Sequence, residues 1–121
     1  MKKKINEINL ALLGCGSWGV NLARNFNELG VLRCVCDNIK KNADKLSRVY
    51  GIKSLNYNQI KKSPNIDAVV IATPAKTHFK IALDALNNNK HVFVEKPMSM
   101  TSKEGKRLVA VSKKKKKILI V

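Results

Sequence analysis

Acidic residues are scarce in this 121-residue sequence, which has eight Asp and Glu against 24 Lys and Arg and a formal net charge of +16. A strong basic excess is typical of proteins that bind nucleic acid or other anionic surfaces. Aromatic residues are also few, with three Phe, two Tyr and one Trp, and they do not alternate with the basic residues. The sequence therefore lacks the stacking platform on which nucleic-acid bases are held, and we expect no nucleic-acid partner.

Long apolar runs are absent, so the sequence contains none of the roughly 20-residue segments that a membrane span requires. Met1–Lys4 has the charge of a signal-peptide start, but Asn6, Glu7 and Asn9 interrupt the apolar segment that would have to follow. Leu10–Leu13 is too short to replace that segment. We expect no secretion signal, no membrane partner and a cytoplasmic location.

The sequence has only three cysteines, Cys15, Cys34 and Cys36, without paired C-x-x-C spacing. The odd number argues against a disulfide framework and the spacing argues against zinc, so no metal site is expected. Cys34 and Cys36 are two residues apart in an apolar stretch, which puts them on one face of a strand. All three are interpreted as small buried hydrophobic residues in a reducing compartment.

The most informative stretch is Asn9–Phe26, where an apolar run, a glycine-rich turn and a helix-like pattern follow one another. Leu10–Leu13 is typical of a buried strand, and Gly14–Gly19 fits G-x-G-x-x-G. Apolar residues then recur at helical spacing as far as Phe26. The motif is specific only in such a strand–turn–helix context, and the context favours a ligand site over a simple turn.

Each glycine of the motif has a physical role in a dinucleotide site. Gly14 allows the tight turn out of the strand, Gly16 leaves the backbone open to a pyrophosphate, and Gly19 lets the helix pack closely on the strand. The N–H groups and the positive dipole end of the helix then face the phosphates. The sequence therefore predicts a dinucleotide site at the start of the first helix.

Asp37 follows the second predicted strand, Val31–Cys36, and lies 18 residues beyond Gly19. An acidic residue about 20 residues past the motif accepts hydrogen bonds from the adenosine ribose, and its charge repels a 2′-phosphate. NAD is therefore the predicted cofactor and NADP the less favoured one, although Lys40 and Lys41 stand close by. The alternative for Asp37 is a helix cap, a common role for an Asp after a strand.

Apolar runs alternate with helix-like patterns along the whole chain. The predicted strands are Ile8–Leu13, Val31–Cys36, Lys53–Leu55, Ala68–Ala72, His91–Val94 and Ile118–Val121. The predicted helices are Trp18–Leu29, Asn38–Tyr50, Tyr57–Lys62, Thr77–Leu86 and one that opens with a capping box at Thr101–Glu104. Lys113–Lys117 is expected to be a solvated connection before the last strand. This alternation predicts an α/β fold, a Rossmann-type doubly wound parallel sheet of about six strands in one domain over residues 1–121.

Four motifs together resemble the glucose–fructose oxidoreductase/inositol dehydrogenase family (Gfo/Idh/MocA). They are GCGSWG at Gly14–Gly19, Asp37 after the second strand, ATP at Ala72–Pro74 with His78 four residues further on, and VEKP at Val94–Pro97. The residues around the glycine motif are most similar to those of members that oxidise nucleotide-linked sugars. The resemblance covers essentially the whole chain.

The resemblance also implies which residues contact the cofactor. Gly14, Gly16, Ser17, Trp18 and Gly19 would lie along the pyrophosphate, Asp37 at the adenosine ribose, Thr73 and Pro74 along the cleft, His78 near the nicotinamide, and Glu95 and Lys96 at the nicotinamide ribose. Lys96 would also face the substrate as the catalytic residue, because an ammonium group there can stabilise the alkoxide that develops as hydride leaves. Without a ligand, His78 would be only a helix-start residue and Lys96 one surface lysine among many.

Members of the family are much longer, and a second domain supplies their substrate pocket. We therefore expect the NAD-binding domain of an oxidoreductase that transfers hydride between NAD and a sugar or nucleotide-sugar hydroxyl carbon, with cofactor binding but no turnover by this chain alone. The expected partners are that small-molecule substrate in the full-length enzyme, and a second copy of the chain or a separate substrate domain. The alternatives are a non-enzymatic NAD(H)-sensing module and a basic nucleic-acid-binding protein that uses Lys2–Lys4 and Lys113–Lys117.

Overall fold

Six parallel strands and five helices make up residues 8–121, the part of the chain that the computed structural model describes. The strands are β1 (Leu10–Leu13), β2 (Leu32–Cys36), β3 (Lys53–Ser54), β4 (Ala68–Ile71), β5 (His91–Val94) and β6 (Leu119–Ile120). The helices are α1 (Ser17–Glu28), α2 (Lys40–Tyr50), α3 (Tyr57–Lys62), α4 (His78–Asn87) and α5 (Ser102–Lys115), with a short 3-10 turn at Ala75–Thr77. The predictions for Met1–Lys4, Asn6 and Glu7 lie outside the described residues.

The strand order is β3-β2-β1-β4-β5-β6, and every neighbouring pair is parallel. The chain winds outward from β1 to β3, returns to the centre at β4 and winds outward again on the other side. The direction reverses between β1 and β4, and in such sheets ligands bind outside the carboxyl ends of the strands at that point. The predicted fold class, a doubly wound parallel sheet, is confirmed.

Both faces of the sheet are buried because the central strands carry apolar residues at successive positions. Leu13 of β1 and Ile71 of β4 lie on one face, where they pack with residues of α3, α4 and α5. Leu12 lies on the other face, where it packs with Ala23 of α1 and Leu46 of α2. Continuous apolar runs, and not alternation, are what a strand covered on both faces requires.

The predicted strands and helices form with small shifts at their ends, and α5 shows the largest difference. Lys113–Lys117 is not simply a solvated connection: Lys113–Lys115 is the last turn of α5, and Lys116 ends the helix in the left-handed conformation at φ 57°. Lysine is a good helix former, and cations are favoured in the last turn by the helix dipole. The prediction was wrong because it gave more weight to the charge of these residues than to their helix propensity.

Only half of the capping box predicted at the start of α5 has formed as predicted. The Thr101 hydroxyl accepts a hydrogen bond from the Glu104 N–H at 3.1 Å. The Glu104 carboxylate accepts from the Met100 N–H at 3.2 Å, one residue before the expected donor. The first turn of α5 is therefore fastened by its own side chains.

Side chains also fasten the loops at the amino ends of the strands. Two such bonds run from the Asn9 N–H to Asp67 Oδ2 (2.9 Å) and from the Ile118 N–H to His91 Nδ1 (3.0 Å). Lys90 is only 4% exposed, and its Nζ donates to Ser63 O at 2.5 Å and to Ile66 O at 2.7 Å. Burial lowers the pKa of the Lys90 ammonium, with a smaller opposing effect of Asp67.

Candidate functional site

The four central strands end at one level on the carboxyl side of the sheet. Cys36 of β2, Leu13 of β1, Ile71 of β4 and Val94 of β5 are paired in register. Just beyond these residues, each pair of neighbouring strands is joined by one more backbone hydrogen bond. These bonds run from the Gly14 N–H to Cys36 O (2.8 Å), from the Ala72 N–H to Leu13 O (2.7 Å) and from the Glu95 N–H to Ile71 O (3.0 Å). Consequently, the predicted site residues that follow these strands lie side by side along one edge.

Close backbone contacts require glycine at Gly14 and Gly19. Gly14 has φ +99°, a conformation that residues with side chains rarely adopt, and a Cβ there would lie 2.5 Å from Ala72 O. A Cβ on Gly19 would lie 2.0 Å from Gly14 O. The turn out of β1 is thus packed between the end of β4 and the first turn of α1. This packing agrees with the tight-turn and close-approach roles predicted for these two glycines.

Gly16, by contrast, faces open space, because a Cβ there would meet no heavy atom within 4 Å. Gly16 is the N-cap residue of α1. Among residues 8–121, no side chain caps this helix, and its first turn contains no acidic residue. The first N–H groups of α1 therefore lack acceptors in the helix, and its positive dipole end is not neutralised. Ser17 and Trp18, the latter 58% exposed, flank this opening. Free backbone donors at a helix start with open space in front of them are what a pyrophosphate requires.

Asp37 is bonded directly to the glycine turn. Its Oδ2 accepts the Cys15 N–H at 2.7 Å and its Oδ1 accepts the Ile39 N–H at 2.8 Å. Each carboxylate oxygen keeps a further lone pair for a ligand hydroxyl. The N-cap of α2 is Ile39, so the alternative role of Asp37 as the cap of that helix is wrong. Contact of Asp37 with a ribose stays a prediction.

Burial keeps the thiols of the glycine turn and of β2 protonated at neutral pH. Burial, followed by the negative charge of Asp37, raises the pKa of Cys15 from 9.0 to about 12. Burial is also the main cause that raises the pKa of Cys34 to about 11. Both side chains are buried, whereas Cys36 is partly exposed, and none of the three forms a disulfide. Cys34 and Cys36 pack on the same face of the sheet, as their spacing predicts.

The loop after β4 is held by the 3-10 turn that follows it. Thr77 Oγ1 donates to Pro74 O at 2.6 Å and lies 2.7 Å from Thr73 Oγ1. Thr73 is half-buried and Pro74 is exposed. Both follow Ala72, whose carbonyl approaches Gly14, so these two predicted cleft residues adjoin the glycine turn.

His78 connects the loops after β4 and β5. Its side chain is 2% exposed, with Nε2 2.8 Å from Thr73 O and Nδ1 2.7 Å from Pro97 O. Both ring nitrogens therefore have partners within the protein. Direct contact of His78 with a cofactor stays a prediction, and its position as the first residue of α4 agrees with the alternative interpretation, a helix-start residue.

Glu95 and Lys96 follow β5 directly, and Glu95 is half-buried whereas Lys96 is exposed. The peptide bond between Lys96 and Pro97 is cis. Because the next strand in the sheet is β4, these two residues share the carboxyl-side edge with Thr73. Their roles at a nicotinamide ribose and at a substrate stay predictions.

The structure thus brings the predicted site residues to one edge of the sheet, and it adds contacts that the sequence patterns did not indicate. These are the bond from Cys15 to Asp37 and the bonds made by Thr77 and His78. The one available signal was that the loop after β4 contains two threonines, Thr73 and Thr77. Among residues 8–121, no helix is long and apolar enough to cross a membrane, and no three His, Cys, Asp or Glu side chains are grouped to hold a metal ion.

Comparison with known proteins identifies a family. The model of the family described as "Oxidoreductase family, NAD-binding Rossmann fold" (GFO_IDH_MocA) matches residues 8–121. Its match begins and ends with the residues that the structure describes. The family expected from the glycine, Asp37, ATP and VEKP motifs is therefore confirmed.

Similar proteins include dehydrogenases, hydrolases and reductases. The scyllo-inositol 2-dehydrogenase (NAD(+)) of Bacillus subtilis (strain 168) is 34% identical over 106 residues, which cover 84% of this chain and 31% of the relative. Glycosyl hydrolase family 109 protein 1 of Shewanella sp. (strain ANA-3) is 30% identical over 128 residues, which cover 94% and 28%. The crystal structure of biliverdin reductase from Synechocystis sp. PCC 6803, in complex with biliverdin and NADP+, has a TM-score of 0.88 and 29% identity, and the match covers 95% of this chain and 37% of that one. The chain spans about a third of the length of these proteins.

Proposed function

The chain belongs to the Gfo/Idh/MocA oxidoreductase family through its NAD-binding Rossmann domain, and on this basis we propose that it binds NAD for hydride transfer at a sugar hydroxyl carbon. The observation that carries the proposal is the open, uncapped start of α1 directly beside Asp37. Backbone donors for two phosphates and a carboxylate for a ribose are needed together in such a site.

The preference for NAD over NADP is supported by the position of Asp37. Two backbone N–H groups hold its carboxylate next to the glycine turn. A 2′-phosphate on the ribose would bring negative charge close to this carboxylate. Lys40 and Lys41 are exposed at the start of α2 and offset part of that repulsion. We therefore expect NADPH to bind more weakly than NADH, without being excluded.

Lys96 is proposed as the catalytic residue that this domain contributes. Bound NAD supplies a nicotinamide carbon that takes up hydride. The Lys96 ammonium, exposed at the carboxyl-side edge, would stabilise the negative charge that develops on the substrate oxygen. Glu95, half-buried beside it, would contact the nicotinamide ribose.

The substrate class is proposed from the relatives. The names of two of them denote an inositol dehydrogenase and a glycosyl hydrolase, and both indicate sugars or sugar-like polyols. Because the chain spans about a third of these proteins, we expect the remaining substrate contacts to come from a second domain or a partner chain. The 121-residue chain is therefore expected to bind cofactor without turnover.

Titration of the chain with NADH and NADPH, followed by nicotinamide fluorescence and calorimetry, tests cofactor binding. Saturable binding with tighter NADH is expected, and Gly16→Trp is expected to abolish it because the indole fills the opening at α1. Ser102→Trp is the matched control, since it places the same side chain at the exposed first residue of α5. Absence of binding at millimolar NADH would overturn the proposal.

Asp37→Asn tests the cofactor preference separately. The ratio of the NADPH to the NADH dissociation constant is expected to fall about tenfold, because the charge that repels the 2′-phosphate is removed. Asp44→Asn, which removes a half-buried carboxylate on α2, is the matched control and leaves the ratio unchanged. An unchanged ratio in Asp37→Asn would show that this carboxylate does not select the cofactor.

Absorbance at 340 nm tests the expectation on turnover. The purified chain is incubated with NAD and a panel of myo-inositol, scyllo-inositol and UDP-linked sugars, and no NADH formation is expected. Sustained NADH formation that Lys96→Ala abolishes would overturn the view that a further domain is needed. It would at the same time support the catalytic role of Lys96.

A further inference from the structure

The two loops predicted to line the cofactor cleft are joined by one buried side chain. They follow neighbouring strands, β4 and β5, and contain Thr73 and Lys96. His78 lies between them, with one ring nitrogen on Thr73 O and the other on Pro97 O, at 2.8 and 2.7 Å. The last backbone bond between these two strands runs from the Glu95 N–H to Ile71 O, and beyond it the imidazole spans the gap between the loops.

The hydrogen-bonding groups of the imidazole determine which of the two carbonyl contacts it can make as a donor. Carbonyl oxygens only accept hydrogen bonds, so each of the two contacts needs an N–H on the ring. The neutral ring has one N–H and the doubly protonated ring has two. The side chain is almost completely buried, so water does not readily replace either bond. Removing the ring would leave at least one buried loop carbonyl without its donor, which costs more than loss of an exposed bond would.

Thr77 holds the same loop from a second direction. Its hydroxyl has one proton, which it donates to Pro74 O at 2.6 Å. The 2.7 Å contact with Thr73 Oγ1 is therefore made by the proton of Thr73. Thr73 is fastened through its hydroxyl by Thr77 and through its carbonyl by His78, and its hydroxyl offers only lone pairs to a ligand.

We propose that His78 is a positioning residue that sets the distance between Thr73 and Lys96, and so orients the nicotinamide half of a bound dinucleotide. This inference rests on the proposed function, because it concerns the same cleft. His78 acts through the two loop carbonyls and not by contact with the cofactor. The adenosine and pyrophosphate half has separate predicted contacts, the glycine turn and Asp37, which His78 does not touch.

The test uses two ligands that differ in their need for the nicotinamide half. ADP requires only the glycine turn and Asp37, whereas NADH also reaches the loops after β4 and β5. In His78→Phe, we expect the dissociation constant of NADH to rise at least about tenfold and that of ADP to change less than about twofold. Calorimetric titration of both ligands gives the two constants for each variant. A purely structural role of His78 would weaken both ligands to the same extent.

His91→Phe is the matched control. It makes the same substitution at the amino end of β5, where His91 accepts a bond from the Ile118 N–H. Neither ligand is expected to bind differently in this variant. His78→Gln keeps a side-chain N–H donor and is expected to recover part of the NADH affinity lost in His78→Phe.

Thr77→Val gives a second test if His78→Phe lowers the folded fraction, since it keeps the shape of the side chain and removes only the hydroxyl. NADH is expected to weaken about threefold while ADP is unchanged. Equal weakening of both ligands, or unchanged NADH affinity in a folded variant, would overturn the positioning role alone. Failure of the unmodified chain to bind either ligand would overturn the proposed function, and this inference with it.

Discussion

The two ends of the strands in this sheet are both fastened by polar side chains, but only one of them leaves backbone donors open. At the amino ends, Lys90, Asp67 and His91 fasten one loop to another with hydrogen bonds inside the protein. At the carboxyl ends, His78 and Thr77 also fasten loops. The carboxyl end differs in one respect, because the first backbone donors of α1 are left open there.

The comparison shows how one fold separates stability from binding. Among residues 8–121, every buried side-chain nitrogen and oxygen has a hydrogen-bond partner. Polar groups that stabilise the fold are thus satisfied wherever they are buried, at both ends of the sheet. The open donors belong to the backbone of α1 and lie where the winding of the sheet reverses. Substitutions at the amino end are therefore expected to change stability alone, and those at the open start of α1 to change binding.

Gly19→Ala is expected to give the largest effect, because it changes both the stability of the fold and NADH binding. The added Cβ would lie 2.0 Å from Gly14 O, so the helix or the turn must move. We expect the free energy of unfolding to fall by about 3 kcal/mol and NADH binding to be lost. Urea denaturation and NADH titration measure the two effects. Gly16→Ala is the control, since its Cβ meets open space: unchanged stability with weaker NADH binding is expected, and equal destabilisation would contradict the packing argument.

Lys90→Met tests the expectation that a substitution at the amino ends of the strands lowers stability and leaves NADH binding unchanged. It removes two bonds from a buried ammonium and leaves the carbonyls of Ser63 and Ile66 without this donor. The free energy of unfolding is expected to fall by about 2 kcal/mol, while the NADH dissociation constant stays within about twofold. Denaturant midpoints and calorimetry measure both, with the exposed Lys103→Met as control. A large change in NADH affinity would show that the two ends are coupled.

The buried thiol of Cys15 predicts a pH dependence at the carboxyl end. Its pKa is raised from 9.0 to about 12, so the folded state keeps a proton that the unfolded state releases above pH 9. The stabilisation is complete below pH 9 and is lost as the pH rises towards 12, by about 1.5 kcal/mol near pH 10. Urea denaturation at several pH values measures this, and Cys15→Ala is expected to remove this part of the slope. An identical slope in the variant would contradict the raised pKa.

Thr101→Ala is expected to give the smallest effect and compares two helix starts on the same side of the sheet. The Thr101 hydroxyl caps α5 by accepting the Glu104 N–H, whereas α1 has no side-chain cap. Loss of the cap is expected to lower the free energy of unfolding by about 1 kcal/mol without changing NADH affinity. Thermal melts and NADH titration check this, with Ser102→Ala as the neighbouring control. Weaker NADH binding would show that α5 also contributes to the site.

Much of the fold follows from the sequence because apolar periodicity and glycine position are local signals. His91–Val94 and Tyr57–Lys62 form within the predicted bounds, and α2 ends at Tyr50, as predicted, with Gly51 next in the left-handed conformation. The lysine run differed because its charge suggested a solvated connection while its propensity favoured a helix. Local sequence patterns therefore predict the presence of a helix or strand more accurately than the position of its last residue.

The contacts of the candidate site were less predictable because they join residues distant in sequence. Motif spacing indicated Asp37, but its bond to the Cys15 N–H depends on the register of β1 with β2. His78 was selected by resemblance, yet its two carbonyl partners depend on how β4 and β5 end. The sequence did not indicate the buried position of Lys90, because a lysine at the end of a helix is normally solvated.

Both outermost strands of the sheet, β3 and β6, are only two residues long. Short edge strands with nearby lysines discourage pairing with another chain. Ile118 and Ile120 nevertheless leave apolar surface exposed at β6, at 59% and 49%. With a net charge of +16, two copies repel each other at low ionic strength, and salt screens that repulsion over about 10 Å at 0.1 M. Ionic strength is therefore expected to govern how often these edges meet in two copies of this chain, so that its lysines limit self-association as much as its short strands do.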